Sequence, residues 1–259
     1  MRLGICAQPG ALPAAAAAGF DFVELPLSAV ADMEDHDFEE FVRMSDDYPL
    51  RAEVFYSMLP DGLHVTGRDV SAQALHDYLS PAFDRAKRLG GDVILLDGGA
   101  ARSVPFGFDV RFAWRQMENF LRMLQGHARQ AGLRVAVLPL RRAETNLLNY
   151  VSEATLISSL VQMDCIGVAA DSRQMAMVSE PDSALSLAGP SLLHVRANNA
   201  MSGRLPAEGD GEKYSTLFRA LIKMGYCGRV SCCGDSENFA DDAMAARAAL
   251  SKALSEALK

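Results

Sequence analysis

Short β-rich runs and longer helical runs alternate eight times along this chain, and that alternation restricts its fold more than any other feature. The runs with strand character are Leu3–Cys6, Phe22–Leu25, Arg51–Phe55, Asp92–Leu96, Arg134–Leu138, Ile166–Ala170, Leu192–Arg196 and Arg229–Cys233. The stretches that follow them, 11–18, 37–47, 71–89, 109–131, 150–161, 174–187, 214–225 and 239–257, have helical character. Glycines or turn residues precede many strands: Gly19, Gly90-Gly91, Gly132, Gly189-Pro190, Gly225 and Gly228. Such residues end helices. Strand-helix alternation implies parallel strands joined by helical crossovers. Eight units in 259 residues fit a closed (β/α)8 TIM barrel better than an open doubly wound sheet. No GxGxxG follows the first strand, so a dinucleotide-binding fold is unsupported. No linker or composition shift divides the chain, and 1–259 reads as one α/β domain.

Composition excludes several function classes. Hydrophobic residues make up 49% of the chain, yet no apolar run approaches the ~20 residues a membrane-spanning helix needs. The start, Met1-Arg2-Leu3-Gly4-Ile5-Cys6, reads as a first strand and lacks the sections of a signal peptide. The Ala14–Ala18 run reads as ordinary helix. A net charge of −8 argues against general nucleic-acid binding. The five cysteines are odd in number and show no zinc spacing, so a reduced, cytoplasmic setting is expected.

In a barrel of this kind, chemistry belongs to the C-terminal strand ends and the loops after them. Those positions give Gln8, Glu24, Glu53, Asp97, Leu138, Asp171, Arg196 and Cys233, with His64, Arg102, Arg142, Glu144, Arg173, Gln174, Arg204 and Asp210 beyond them. The fifth unit is the most telling. Its apolar strand runs through Leu138 into a charged loop, Arg141-Arg142-Ala143-Glu144-Thr145-Asn146.

Several pieces carry a family resemblance by their order and spacing. They are Gly19–Leu27, Gly98–Pro105, Pro139-Leu140 with Arg142–Asn146, Ala170-Asp171, His194-Val195 and Pro206–Asp210. From Leu3 to the last helix the chain resembles the xylose-isomerase-like sugar phosphate isomerase/epimerase family of TIM barrels. The resemblance implies carbohydrate metabolism and a divalent metal held by Glu on strand 5, Asp on strand 6, His or Gln on strand 7 and Glu on strand 8. The two Glu residues would also move the proton. In this chain those positions are Leu138, Asp171, Arg196 and Cys233, so Asp171 alone is retained. A substrate-contacting His of the family corresponds to Gln174. Glu24 and Glu144 correspond to positions that contact the sugar or order the site.

The replacements disfavour the family chemistry. Leu138 offers no donor atom, and the permanent charge of Arg196 repels a divalent ion. No metal and no other cofactor is therefore expected. An Arg196–Asp171 ion pair is expected in the vacated site, because a buried Arg needs a partner. Arg102, Arg142, Arg173, Arg196 and Arg204 all map to one barrel face, and Arg forks suit phosphate or carboxylate. A small anionic, sugar-like ligand is the expected partner, contacted by Arg102, Arg142, Glu144, Asp171, Gln174, His194, Arg196 and Arg204.

Taken alone, His194 reads as a hydrogen-bonded core residue rather than a ligand contact, and Cys233 as inert packing rather than a nucleophile or soft metal ligand. Two alternatives remain. One is a metal-independent isomerase, epimerase or lyase using Glu24, Glu53, Glu144 or Cys233, with Asp171 a further candidate and Arg196 as electrophile. The other is a non-catalytic subunit that pairs with an active paralogue; self-association is also open. The long Ala197–Asp210 loop reads as a lid or binding segment, and Met175-Ala176-Met177 as core filling.

Overall fold

The computed structural model describes residues 1–161 and 164–259. Eight parallel strands close into a barrel in chain order: β1 (Arg2–Cys6), β2 (Phe22–Pro26), β3 (Ala52–Tyr56), β4 (Val93–Leu96), β5 (Arg134–Val137), β6 (Ile166–Asp171), β7 (Leu192–Arg196) and β8 (Arg229–Cys232). Each strand falls within a residue of the span expected from the sequence. β8 pairs back onto β1 with Arg2 opposite Arg229 and Ile5 opposite Cys232, which closes the sheet.

The helices run α1 (Leu12–Ala17), α2 (Leu27–Ala31), α3 (Asp35–Asp46), α4 (Ala72–Arg88), α5 (Gly99–Arg102), α6 (Val110–Ala131), α7 (Val151–Val161), α8 (Ser172–Met177), α9 (Leu185–Ala188), α10 (Tyr214–Lys223) and α11 (Phe239–Ala257). Local chemistry sets several ends. The Ser71 hydroxyl accepts from the Ala74 amide at the start of α4, and the Asp109 carboxylate accepts from the Arg111 amide at the start of α6. Gly132 ends α6 at φ 64°, a conformation that other residues adopt at a cost.

The long helix expected over 174–187 is instead split into α8, a 3-10 turn at Asp182–Ala184 and α9. Pro181 lacks an amide hydrogen and disfavours helix at the residue before it. Glu180, released from the helix, turns its carboxylate to the first amide of α7, at 2.9 Å from Val151 N. The short helices α2 and α5 were not anticipated; both lie in loops after strands, where they shape the barrel mouth.

Alternation along each strand separates two apolar cores. Ile5, Val23, Phe55, Ile94, Val135, Val168, Val195 and Val230 face the helices in the larger one. Phe22, Val54, Val93, Leu95, Ala136, Leu138, Leu140 and Ala169 form the smaller one inside the barrel, with Tyr56 and Leu193 against it. Gly4 is required there, since a Cβ at that position would lie 2.4 Å from the Phe22 ring.

At the N-terminal end of the barrel, Glu53 accepts from Arg2 Nη1 at 2.7 Å and Arg229 Nε at 2.6 Å. Arg229 also reaches Asp92 at 2.7 Å. The expectation that Glu53 lies at a strand's C-terminal end is therefore corrected. It is the second residue of β3 and belongs to an ion-pair belt on the opposite face, which serves stability in this architecture.

Candidate functional site

A cleft of about 540 Å³ opens at the C-terminal mouth, between the ends of β1, β6, β7 and β8. Cys6, Gln8, Tyr56, Asp171, Arg173, Gln174, Arg196, Asn198 and Cys233 line it. A larger apolar hollow, about 680 Å³, lies on the outer wall between α6 and α7 among Trp114, Leu156, Ile157 and Leu160. No strand end contributes to that hollow, so the mouth cleft is the candidate site.

Glu24 is the centre of the cluster beneath the cleft and has no solvent exposure. Its Oε2 accepts from Arg196 Nη2 at 2.6 Å and Nε at 3.1 Å. Its Oε1 accepts from His194 Nε2 and from Ser231 Oγ, and His194 Nε2 also lies 3.0 Å from Ser231 Oγ. A carboxylate only accepts, so the His194 hydrogen is on Nε2; Nδ1 is buried without a partner. Burial pushes the Glu24 pKa up, but the Arg196 charge, His194 and their hydrogen bonds outweigh it and hold the carboxyl well below the usual range. Burial opposes the charge on Arg196 too, and Glu24 more than restores it. Arg196 also lies over the Tyr56 ring, 5.4 Å from its centroid. Desolvation pushes the Tyr56 phenol up to about 12.

The expected Arg196–Asp171 ion pair is therefore corrected: the hydrogen-bonding partner of Arg196 is Glu24. On the barrel interior Arg196 projects toward β2 across the barrel, while Asp171 is turned to its own loop. Asp171 Oδ1 caps α8, accepting from Arg173 N at 2.8 Å and Gln174 N at 3.3 Å. Its Oδ2 accepts from Asn198 Nδ2 at 2.8 Å. Burial raises the Asp171 pKa, and Arg196 and these donors only partly offset it. Asn198 in turn accepts from the Cys233 amide at 2.7 Å, tying the ends of β6, β7 and β8 together.

Cys233 meets Cys6. Their Cα atoms are 4.9 Å apart and the two are joined as a disulfide across the β1–β8 seam. The expectations of five reduced cysteines and of Cys233 as inert packing are corrected here. The register places the C-terminal ends of the first and last strands side by side. Cys6 Sγ lies 3.3 Å from Glu24 Oε2. Cys6, Glu24 and Cys233 thus form a compact group of metal-type donors. The sulfurs are bonded to each other and both Glu24 oxygens are engaged, so that group offers no free ligand set.

Leu138 is buried in the inner core, packed with Val54, Leu95 and Leu140. It closes the strand-5 side of the mouth with hydrocarbon and leaves the opening on the β6–β8 side. Arg102, also expected to meet ligand, is fully buried. Its Nη1 and Nη2 donate to the carbonyls of Leu96 and Leu138 at 2.9 and 2.6 Å, so it clamps two strand ends. Burial pulls its pKa down to about 10.

The other expected residues are dispersed around the rim. Gln174 accepts from the Arg141 amide at 2.9 Å and donates to Glu144 at 3.2 Å, bridging the loops after β5 and β6. Glu144 also pairs with Arg141 at 2.7 Å. Arg142 lines a separate shallow hollow with Tyr150 and Met177. Arg204 is exposed and pairs with Glu237. His64 is exposed. Asp210 folds its own loop, accepting from the Ala207 and Glu212 amides and from Tyr214. Asp97 accepts from the amides of Ser57 and Met58, and burial raises its pKa.

Cys6, Tyr56, Asn198 and Ser231 were not singled out by sequence. Ser231, a polar residue two before Cys233 on an apolar strand, carried the one signal that period-two reading could have used.

A family model described as xylose isomerase-like TIM barrel matches residues 12–256. Comparison with curated proteins finds no match. Among solved structures, a D-psicose 3-epimerase studied in the presence of D-fructose superposes with a TM-score of 0.84 at 17% identity, covering 97% of this chain and 98% of that one. An L-ribulose 3-epimerase gives 0.84 at 20% identity, covering 99% and 95%. A 3-keto-D-glucoside 4-epimerase from E. coli gives 0.82 at 17% identity, covering 98% and 99%. At these identities the likeness is one of fold.

Proposed function

The chain belongs to the xylose isomerase-like TIM barrel family, and we propose that it is a sugar isomerase/epimerase-like member that has exchanged its metal centre for a protein-supplied cation. The observation that carries this reading is the Arg196 guanidinium, buried in the mouth and bonded to Glu24. A divalent ion in the same cavity would face that fixed positive charge. The residues at the family's ligand positions do not fit a hard metal. Leu138 is hydrocarbon packed in the inner core, Cys233 is engaged with Cys6, and Asp171 spends its oxygens on the α8 amides and Asn198. Hard divalent ions take oxygen ligands, and one committed carboxylate is too few.

The cleft is read as a binding site for a small anionic, carbohydrate-derived ligand, without the family's metal-assisted reaction. Arg173 supports this. It lines the cleft, its guanidinium packs over Gly203, and among the described residues it makes no ion pair. A carboxylate or phosphate would give that fork a bidentate partner. Gln174 and Asn198 line the same cleft, and their amides are held in place by Arg141, Glu144, Asp171 and the Cys233 amide.

A second reading keeps catalysis without metal. Asp171 favours it: the carboxyl lines the cleft, and burial raises its pKa, the direction that a carboxyl serving as a proton donor needs. Glu24 does not suit that role, being buried and locked in the charged form. A cytoplasmic setting belongs to the same proposal; no described helix is long and apolar enough to cross a membrane.

Elemental analysis of the purified protein tests the first part, with no stoichiometric Mg, Mn, Co or Zn expected. A tightly bound metal would overturn it. Thermal shifts with phosphorylated and carboxylated sugars test the second, since a ligand at 100 times its Kd adds about 2.7 kcal/mol. A shift lost in Arg173→Ala supports the anion site. No shift with any of these compounds removes it.

A further inference from the structure

The Cys6–Cys233 bond is independent of which ligand the cleft takes. We propose that this pair is a reversible thiol–disulfide site in the wall of the cleft, oxidised by low-molecular-weight disulfides and reduced by low-molecular-weight thiols. Placement argues first. β1 and β8 are paired with Ile5 opposite Cys232, so Cys6 and Cys233 are the next residues on adjacent strands. Their Cα separation of 4.9 Å lies within the range found for disulfide-linked residues. Accessibility argues second. Both residues are half-buried and both line the open cleft, so a small thiol can reach a sulfur. The neighbouring Cys232 is fully buried and faces the other core. Cys165 and Cys227 are unpaired and lie before β6 and β8, at the other end of the barrel.

The exchange balances without further reagents. In oxidation one cysteine thiolate attacks a small disulfide RSSR, and RS⁻ leaves and takes a proton. The second cysteine then attacks the protein-side sulfur of the mixed disulfide and expels the second RSH. Two protein thiols have lost two electrons and two protons, and RSSR has become two RSH. Reduction runs the same steps backwards.

The state of the pair bears on the cleft. Cys6 Sγ touches Glu24 Oε2, the oxygen that holds Arg196. The Cys233 amide is held by Asn198, which also holds Asp171. Opening the bond frees the end of β8 within this network.

The test equilibrates the native protein in glutathione buffers of graded thiol-to-disulfide ratio, quenches exchange with acid, alkylates the remaining thiols after unfolding and maps the peptides. Fully reduced protein should alkylate at all five cysteines. Oxidised protein should alkylate only at Cys165, Cys227 and Cys232, with the Cys6 and Cys233 peptides linked, and the change should reverse without denaturant. Cys227→Ser should leave the transition unchanged, and Cys6→Ser should abolish it. The proposal is overturned by five free thiols in glutathione disulfide alone, by a cross-link through any other cysteine, or by a bond that opens only on unfolding. Stoichiometric zinc on the reduced pair that blocks oxidation would also overturn it. The wild-type peptide map decides these outcomes even if Cys6→Ser does not fold.

Discussion

Arg196 of β7 and Glu24 of β2 form an ion pair across the inside of the barrel, with Nη2 and Nε both donating to one carboxylate oxygen. Both side chains are buried, so neither charge is tolerable alone. Glu24→Gln removes one charge and should cost about 3–5 kcal/mol, the usual penalty for stranding a buried partner. Glu24→Leu combined with Arg196→Met should recover most of that loss. Urea unfolding of the single and double variants checks this; additive losses would show that the two residues are not coupled.

The same pair sets a pH dependence. Glu24 is held below its usual value of 4.5. A depressed carboxyl contributes stability that is complete above the unfolded-state value and is lost as pH falls through the folded one. Asp171, raised by burial, acts oppositely: its penalty is full above its folded value and is relieved as pH falls. Below pH 4.5 wild-type stability should therefore fall, and Glu24→Gln should fall less steeply over the same window. Parallel curves for the two proteins would remove Glu24 as the cause.

Oxidation should stabilise the fold. The bridge joins residues 227 apart in sequence, and closing so long a loop in the unfolded chain is worth up to about 5 kcal/mol in the chain-entropy description. The Tm of oxidised protein should exceed that of reduced protein by roughly 10 °C, at 2–4 °C per kcal/mol for a chain near this size. In Cys233→Ser the difference between oxidised and reduced samples should vanish. An equal gap in that variant would place the redox effect elsewhere.

Leu138 tests the account of the metal position. Leu138→Glu alone puts a carboxylate into the inner apolar core and should destabilise by about 2–4 kcal/mol without metal binding. The triple change Leu138→Glu, Arg196→His and Cys233→Glu also removes the fixed cation and the disulfide and frees Glu24. It should bind Mn²⁺ measurably in calorimetry, whereas the single change should not. Mn²⁺ binding by Leu138→Glu alone would show that Arg196 does not exclude the ion.

The barrel was legible because its signals are local and repeated. Eight apolar strand runs, each followed by a helical stretch, placed every strand to within a residue. Where one residue interrupts the pattern, as Pro181 does in the sixth unit, length alone misled. Expected site residues were legible as positions and not as contacts. Leu138, Asp171, Arg196 and Cys233 do stand at strand ends, but Glu53 stands at the opposite end of its strand and Arg102 is spent on carbonyls.

The sequence by itself determined the fold class, the family and where each strand begins and ends to within a residue, because the period of two along a strand and the glycine-punctuated helices depend only on near neighbours. Only the tertiary structure decided the partners. Residues 24 and 196, or 6 and 233, meet because closure of the sheet brings strands from distant parts of the chain together. A long arginine at a strand end can reach several carboxylates; the oxygens of Asp171, its neighbour in register, are taken by the α8 amides and Asn198, and Arg196 bonds Glu24.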